Sequence, residues 1–238
     1  MKRKLKKASH VGFILSFVIF VTSVFFLYTL LVPSLKTDVA KETVVNSIRT
    51  ELIEKISSDL ISLTVTIDGS GGSDNCLQFV NLISDNGISG RIIIQNEIGQ
   101  VFIPYVSSSS VYVDRTINTS SKLFKISVSE EFPLASSTPP SCTVSGYSIG
   151  LIRTEKNIFQ SRIEGVLDEY RNDYNTLKGE LSVPKINEFG FGFVYENGTF
   201  IGTKDPNLSI SVYSQRIPVR YIDIEANKKS GDLEVRAW

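Results

Sequence analysis

The sequence predicts an α+β fold: a long N-terminal helix, first transmembrane and then amphipathic, packs on a mainly antiparallel β head that contains a second helix. Four observations predict it. Residues 11–32 are apolar and uncharged, and residues 33–64 carry apolar side chains at helical spacing. Short alternating segments separated by Gly, Asn and Pro fill most of the remaining chain. A further helical pattern interrupts them at residues 157–180.

Residues 11–32 predict a transmembrane helix. Their sequence is VGFILSFVIFVTSVFFLYTLLV, and a helix of this length reaches roughly 33 Å, enough to cross the hydrocarbon core of a bilayer. Residues 1–10 form a basic leader, and the first acid in the chain is Asp38. Clustered cations favour the cytoplasmic side. We therefore expect a single-pass protein of the cell membrane, with its N-terminus in the cytoplasm and its C-terminal domain outside.

A cleaved secretory signal peptide is the alternative interpretation of this stretch. Its apolar region is normally about 7–15 residues long and is followed by a cleavage site of small residues. Here the apolar run is longer, and the residues that follow it, PSLKTDVAKE, contain no such site. An uncleaved membrane helix is therefore the prediction.

The charge distribution disfavours a nucleic-acid partner. Six of the chain's 25 cations precede Thr37 and no acid does, so the rest of the chain carries 19 cations against 25 acids. A domain that binds nucleic acid needs a basic face. The lipid bilayer is the partner that the sequence predicts directly, and no small-molecule ligand is identified.

Residues 33–64 predict an amphipathic extension of the membrane helix, either continuous or bent at Pro33. An apolar stripe recurs at steps of three and four residues, formed by Val45, Ile48, Leu52, Ile56, Leu60 and Leu63. A coiled-coil stalk is the alternative, but the stripe covers fewer than three heptads and then runs into a β pattern. We expect this half of the helix to pack on a sheet.

Residues 65–156 predict a β-rich subdomain outside the membrane. Alternating segments are separated by turns at Asn86-Gly87 and around Glu97-Ile98-Gly99, and a Pro/Ser-rich segment, PLASSTPPSC, is typical of an exposed loop. Residues 157–238 predict a second subdomain with one helix, ended by Gly179 and Pro184, and a further sheet with a turn at Asn197-Gly198. The inner face of that helix is predicted to consist of Phe159, Ile163, Val166, Leu167, Tyr170, Tyr174 and Leu177. The chain ends within a strand pattern that we expect to be paired in the sheet.

An aromatic alternation lies in the second subdomain and has two interpretations. Aromatic rings recur at every second position of one predicted strand, at Phe189, Phe191, Phe193 and Tyr195. This pattern is typical of a sheet face packed against a helix. An exposed aromatic adhesion stripe is the alternative.

Two cysteines and three sequons lie beyond the predicted membrane helix. Cys76 and Cys142 are predicted to form one disulfide because the outer compartment is oxidising, with two unpaired buried thiols as the alternative. The Asn-x-Ser/Thr sequons are at Asn118, Asn197 and Asn207 and are candidate glycosylation sites.

The sequence contains no motif that indicates catalysis. We therefore expect no enzymatic activity, no catalytic or cofactor-binding residues and no metal site. His10 is the only histidine and lies at the cytoplasmic end of the membrane helix, which excludes histidine-based sites from the outer domain. Asp68 and Asp74 flank a Gly/Ser loop that lacks the closing glutamate of a calcium loop, so a plain turn is expected. Asp223 and Glu225 are expected on one face of a strand, and a solvated strand face is favoured over a catalytic pair.

The N-terminus resembles that of archaeal type IV pilin-like proteins of the class III signal peptide kind. The resemblance rests on KKASHVGFILSFVIFV followed by a continuing amphipathic helix, about the first quarter of the chain. The later segments YNTLKGELSVPKINEFGFGFVYENGTFIG and IPVRYIDIEANKKSGDLEVRAW are similar to membrane-anchored, pilin-like archaeal proteins. The resemblance implies that a peptidase removes a short leader. It also implies that the helix packs with those of other pilin-like subunits in a filament core, with the β head outward.

Two features depart from the pilin pattern. Cleavage between Lys7 and Ala8 would place Lys7 where pilins usually have a small residue, and Gly12 at the fifth mature position, where they carry a glutamate. Cleavage after Ala8 would place Phe13 there. These departures favour a minor or non-major structural subunit of a type IV pilus-like surface machinery. The alternative is a membrane-anchored binding or adhesion module that does not enter a filament.

Overall fold

A computed structural model describes residues 5–68, 75–102, 104–107, 109–114, 120–134, 142–204 and 211–238, without the side chains of 5–10 and 30–40. The first element is a single helix, α1 (Leu5–Lys55), which includes the predicted membrane segment. It is followed directly by a long strand, β1 (Ser57–Ile67). The mixed α+β class, with an N-terminal apolar helix and a mainly antiparallel sheet, is confirmed.

The amphipathic helix was predicted to continue to residue 64, and this boundary is wrong. Helix α1 ends at Lys55, where the Ser57 hydroxyl donates a hydrogen bond to the Ile53 carbonyl at 2.6 Å. Leu60 and Leu63 lie on β1, where a spacing of three places them on opposite faces. Both are buried, because β1 lies in the middle of a sheet that is covered on both faces. A helical spacing of apolar residues therefore also fits a central strand.

Ten strands form one sheet that crosses the head. Besides β1 they are β3 (Arg91–Asn96), β4 (Val101–Phe102), β7 (Leu123–Ser129), β9 (Tyr147–Ile149), β10 (Arg153–Phe159), β11 (Phe189–Val194), β12 (Phe200–Gly202), β13 (Tyr213–Ile222) and β14 (Lys228–Ala237). Their order is β12-β11-β14-β13-β10-β1-β7-β3-β4, with β9 paired to β1. Neighbours are antiparallel except for β10 and β13, which are parallel. The predicted subdomain boundary at residues 156 and 157 falls inside β10, within this continuous sheet.

A smaller sheet covers one end of the large one. It has the order β5-β6-β2-β8 and consists of β5 (Tyr105–Ser107), β6 (Ser110–Asp114), β2 (Cys76–Phe79) and β8 (Thr143–Val144). A core cluster that includes Val65, Phe79, Ile94, Val113 and Phe124 lies between the two sheets. This part of the head is therefore a β-sandwich.

Helices cover the other end of the large sheet. The predicted helix at residues 157–180 is two helices, α2 (Gln160–Asn172) and α3 (Tyr174–Glu180), separated at Asp173. The Asp173 carboxylate accepts a hydrogen bond from the Thr176 N–H at 3.3 Å and so caps α3. Residues 157–159 belong to β10, a strand that the sequence analysis assigned partly to the helix.

The helical face and the turns otherwise agree with the predictions. Ile163, Val166, Leu167 and Leu177 are buried on the inner face. The predicted turns at Gly87, Gly99 and Gly198 all have positive φ, and the last two join β3 to β4 and β11 to β12. The final residue, Trp238, exchanges two backbone hydrogen bonds with Glu188, so the predicted pairing of the chain end is also confirmed.

Candidate functional site

The N-terminal half of α1 is an apolar helix whose side chains are exposed. Residues Val11–Thr29 have a mean hydropathy of 2.4, and none of this segment is buried against the rest of the protein. The hydroxyls of Thr22 and Thr29 donate to the carbonyls of Val18 and Phe26 at 2.9 and 2.8 Å, so these polar groups are satisfied within the helix. The segment is long and apolar enough to cross a membrane, and a signal sequence would meet the same criteria.

The C-terminal half of α1 is part of the core of the head. Val45, Ile48 and Leu52 are fully buried in a cluster that includes Leu233 and Val235 of β14. This cluster confirms that the amphipathic half packs on a sheet. One helix therefore presents an exposed apolar surface at one end and is built into the head at the other.

Polar contacts fix this half of the helix at its sides and at its end. Arg49 donates to the Gln215 side chain at 3.2 Å, and Lys41 donates to the Ser211 carbonyl at 2.8 Å. At the last turn, the Lys55 ammonium lies between Glu169 of α2, at 3.0 Å, and Glu180 of α3. Burial acts to lower the pKa of Lys55, but hydrogen bonds to the two carboxylates outweigh it and raise that pKa. Lys55 therefore connects all three helices as a cation.

A cavity of about 370 Å³ opens between α2 and the hairpin that joins β11 to β12. Its lining is Gln160 and Glu164 of α2, Tyr195, Glu196, Asn197, Thr199 and Ile201 of the hairpin, and Tyr221 and Lys229 of neighbouring strands. The Tyr195 hydroxyl donates to Glu164 at 3.3 Å, and Gln160 donates to the same carboxylate oxygen at 2.9 Å. The Tyr195 ring contacts Tyr221 edge-on, with centroids 5.4 Å apart.

The Tyr195 hydroxyl stays protonated in this cavity. Burial, and then the nearby Glu164 charge, raise the pKa of Tyr195. The cavity thus combines an aromatic wall with carboxylates, amides and hydroxyls, groups that bind polar ligands by hydrogen bonds. The sequence analysis missed this site, although the Asn197-Gly198 turn after Tyr195 was recognised.

Asp223 and Glu225 do not share a strand face as predicted, and this assignment is wrong. They lie in the turn between β13 and β14, where the nearly buried Asp223 carboxylate accepts hydrogen bonds from the N–H groups of Glu225 and Asn227. Lys229 pairs with it at 2.8 Å. The carboxylate therefore organises a turn, and Ala226 in that turn has a positive φ of 64°.

The other predicted site residues have separate locations. Cys76 and Cys142 form a disulfide, as predicted, and link β2 to the residue that precedes β8. Asn197 is exposed at the hairpin tip. The side chains of Lys7 and Ala8, the sequons Asn118 and Asn207, and the loop between Asp68 and Asp74 lie outside the described part of the structure.

The aromatic alternation forms a packed sheet face. Phe189, Phe191 and Phe193 are buried in the same cluster as Val166 and Leu167 of α2. The exposed adhesion stripe considered as an alternative is therefore ruled out for these three rings. Among the residues that the structure describes, no group of three or more His, Cys, Asp and Glu side chains is arranged to hold a metal ion.

The fold and the exposed helix define a class: an α+β chain with one apolar helix able to span a membrane. No protein-family model matches the chain, and no curated protein matches it. A solved structure of a DUF4466 family protein from Parabacteroides merdae shares 9% sequence identity with it, over 79% of this chain and 88% of its own. The TM-score is 0.11, which carries no argument about fold or function.

Proposed function

We propose that the protein is a non-enzymatic, pilin-like structural subunit, minor or non-major, of a type IV pilus-like surface machinery. In this proposal the N-terminal leader lies in the cytoplasm and the head lies outside the cell. The partners are the lipid bilayer and the N-terminal helices of other pilin-like subunits, without nucleic acid.

The division of α1 into two halves is the observation that supports this proposal. Its exposed half is apolar and uncharged from Val11 to Thr29, and the Thr22 and Thr29 hydroxyls are bonded within the helix, which suits contact with lipid or with equivalent helices. Its other half is fixed in the head by buried Val45, Ile48 and Leu52. The resemblance of the first 60 or so residues to archaeal pilin-like proteins implies the same plan.

A membrane-anchored binding module that never enters a filament is the second candidate. The open cavity between α2 and the β11–β12 hairpin favours it, because aromatic, carboxylate and amide groups converge there. The two candidates differ in whether the exposed half of α1 contacts the helices of other pilin-like subunits or only lipid.

Fractionation and photocrosslinking of the full chain distinguish them. We would measure the intact mass of the protein from native membranes and from sheared surface filaments. A photoreactive side chain would be introduced singly at successive positions from Phe13 to Phe26, because it can bond to whichever helix lies next to it. In a filament, irradiation should link the protein covalently to other pilin-like subunits with a period of three to four residues, as expected for one helix face in contact.

Loss of about seven or eight leader residues, recovery in filaments and periodic crosslinking would together support the pilin proposal. The same photoreactive side chain at position 186 provides the matched control, since Ile186 is highly exposed on the head. A full-length N-terminus confined to membranes, with no periodic crosslinking, would overturn the pilin proposal in favour of the binding module.

A further inference from the structure

The β11–β12 hairpin holds the sequon Asn197-Gly-Thr in a defined conformation beside the cavity. Tyr195 and Thr199 are opposite each other, because the Tyr195 N–H donates to the Thr199 carbonyl at 2.9 Å. The Gly198 N–H donates back to the Tyr195 carbonyl at 2.9 Å, and Gly198 has a φ of +81°. Glycine takes this left-handed conformation without steric cost. The hairpin therefore fixes where the Asn197 side chain projects.

The Asn197 amide is oriented by its own turn. Its oxygen, Oδ1, accepts a hydrogen bond from the Thr199 N–H at 3.0 Å. Its nitrogen, Nδ2, donates no hydrogen bond among the described residues, and the side chain is exposed. Nδ2 is the atom that carries the sugar in an N-glycosylated asparagine. Nδ2, the atom that would be glycosylated, is thus accessible, while the hydrogen bond at Oδ1 holds the amide group in place.

The cavity beside this atom suits a sugar ring. Tyr195, Asn197 and Thr199 line the same cavity of about 370 Å³, which falls within the roughly 300–1,000 Å³ of small-ligand sites. A pyranose has an apolar C–H face that packs on an aromatic ring and hydroxyls that exchange hydrogen bonds with carboxylates and amides. Tyr195 provides the ring, and Glu164, Glu196 and Gln160 provide the polar partners.

We propose that Asn197 carries an N-linked glycan whose first sugar packs against Tyr195 in this cavity and joins the hairpin to α2. The sugar comes from an oligosaccharide linked to a lipid diphosphate and is transferred by the cell's oligosaccharyltransferase. Nδ2 forms a bond to C1 of the sugar as the bond from C1 to the diphosphate oxygen breaks. The lipid diphosphate departs, and Nδ2 loses one proton. The inference rests on the proposed location of the head outside the cell.

Peptide mass spectrometry of the full-length protein from native membranes tests the modification. We expect a saccharide mass on the peptide that contains Asn197. Asn197→Gln and Thr199→Ala should abolish that mass, whereas Thr199→Ser should retain it because a sequon accepts either hydroxyl residue. An unmodified Asn197 in the wild-type protein would overturn the inference.

A double-mutant cycle tests the packing of the sugar on Tyr195. In the wild-type background, Thr199→Ala removes the sequon but keeps the hydrogen bond from the Thr199 N–H to Asn197, and it should lower the Tm of the head by about 2–4 °C. The same substitution should have no further effect when Tyr195 is leucine, and its full effect when Tyr195 is phenylalanine, which keeps the ring. An equal loss in the Tyr195→Leu background would overturn the packing.

The oxidation state of Cys76 and Cys142 in the same membranes separates this inference from the proposed location. An intact disulfide indicates that the head has reached an oxidising compartment. An intact disulfide with an unmodified Asn197 would therefore refute the glycan and leave the location supported. Reduced cysteines with an unmodified Asn197 would count against both.

Discussion

At the level of single residues, the Asp223 carboxylate is held by several hydrogen bonds and one ion pair. Its carboxylate accepts backbone hydrogen bonds from Glu225 and Asn227 at 2.9 and 2.8 Å and pairs with Lys229 at 2.8 Å. Burial acts to raise the pKa of Asp223, but the hydrogen bonds from Lys229 and Asn227 outweigh it and hold that pKa below its usual value. The ionised form therefore stabilises the turn between β13 and β14.

Asp223→Asn should lower the free energy of unfolding by about 1–3 kcal/mol at neutral pH, since hydrogen bonds to a charged group are lost. Because the folded-state pKa is lowered, the contribution of Asp223 is complete above the unfolded-state pKa and is lost as pH falls through the folded-state pKa. The difference between variant and wild type should thus shrink below about pH 4. Urea denaturation at several pH values measures it.

Asp232→Asn is the matched control for this prediction. Asp232 pairs with Arg216 at 2.8 Å, but both side chains are exposed, so the loss should be below about 1 kcal/mol. An Asp223→Asn effect that stays constant down to pH 3 would contradict the role assigned to the carboxylate.

At the scale of elements, the sequence predicted those features that local chemistry determines. The turns at Gly99 and Gly198 were predictable because only a residue tolerant of positive φ fits there. The end of α1 was not predictable from the sequence. Leu60 and Leu63 are spaced as on one face of a helix, but the same spacing places them on the two opposite faces of a buried strand. Strand β10 was missed for a similar reason, as its sequence, RTEKNIF, contains residues common in helices. Its pairing with β1 and β13 overrides that preference.

The candidate cavity was beyond sequence-based prediction. Its walls come from α2, from the hairpin after β11 and from two later strands, and only the folded sheet brings Glu164 next to Tyr195. The disulfide was predictable in contrast, because an outer domain with two cysteines offers only one pairing within the chain.

The packing of α1 in the core of the head predicts how substitutions on this helix change stability. Leu52→Ala should lower the free energy of unfolding by about 2–5 kcal/mol, because Leu52 is fully buried beneath the sheet. Glu51→Ala, at the exposed neighbouring position, should change it by less than about 0.5 kcal/mol. Chemical denaturation followed by tryptophan fluorescence checks both. Equal losses of stability in the two variants would show that this face of α1 does not pack in the core.

At the scale of the whole molecule, the head has two main cores on one sheet. The helix-covered core includes Leu52, Phe191 and Val235, and the sandwich core includes Val65, Phe79 and Phe124. A smaller cluster, with Leu60, Phe159 and Ile222, lies on the opposite face of the sheet. Strand β1 directly follows α1 and supplies residues to the sandwich core and to the small cluster, so it contributes to the packing on both faces of the sheet.

Removing the disulfide should weaken the sandwich end. Cys76 and Cys142 are 66 residues apart, and a crosslink that closes a loop of this size contributes about 2–4 kcal/mol. The double variant Cys76→Ser/Cys142→Ser should lose about that free energy of unfolding. Hydrogen exchange should increase most in β2 and β8, and reduction of the wild-type protein is the control. Increased exchange mainly in β11 and β14 would contradict this localisation.

The position of α1 in the chain also sets the order of events during synthesis. Val45 and Ile48 are translated about 185 residues before their partners Leu233 and Val235. At about 5–20 residues per second, the ribosome needs roughly 10–40 s to reach them. Throughout that interval the apolar stripe has no sheet to cover it. A newly made chain would therefore need the membrane surface or a chaperone to cover the stripe until β14 emerges from the ribosome.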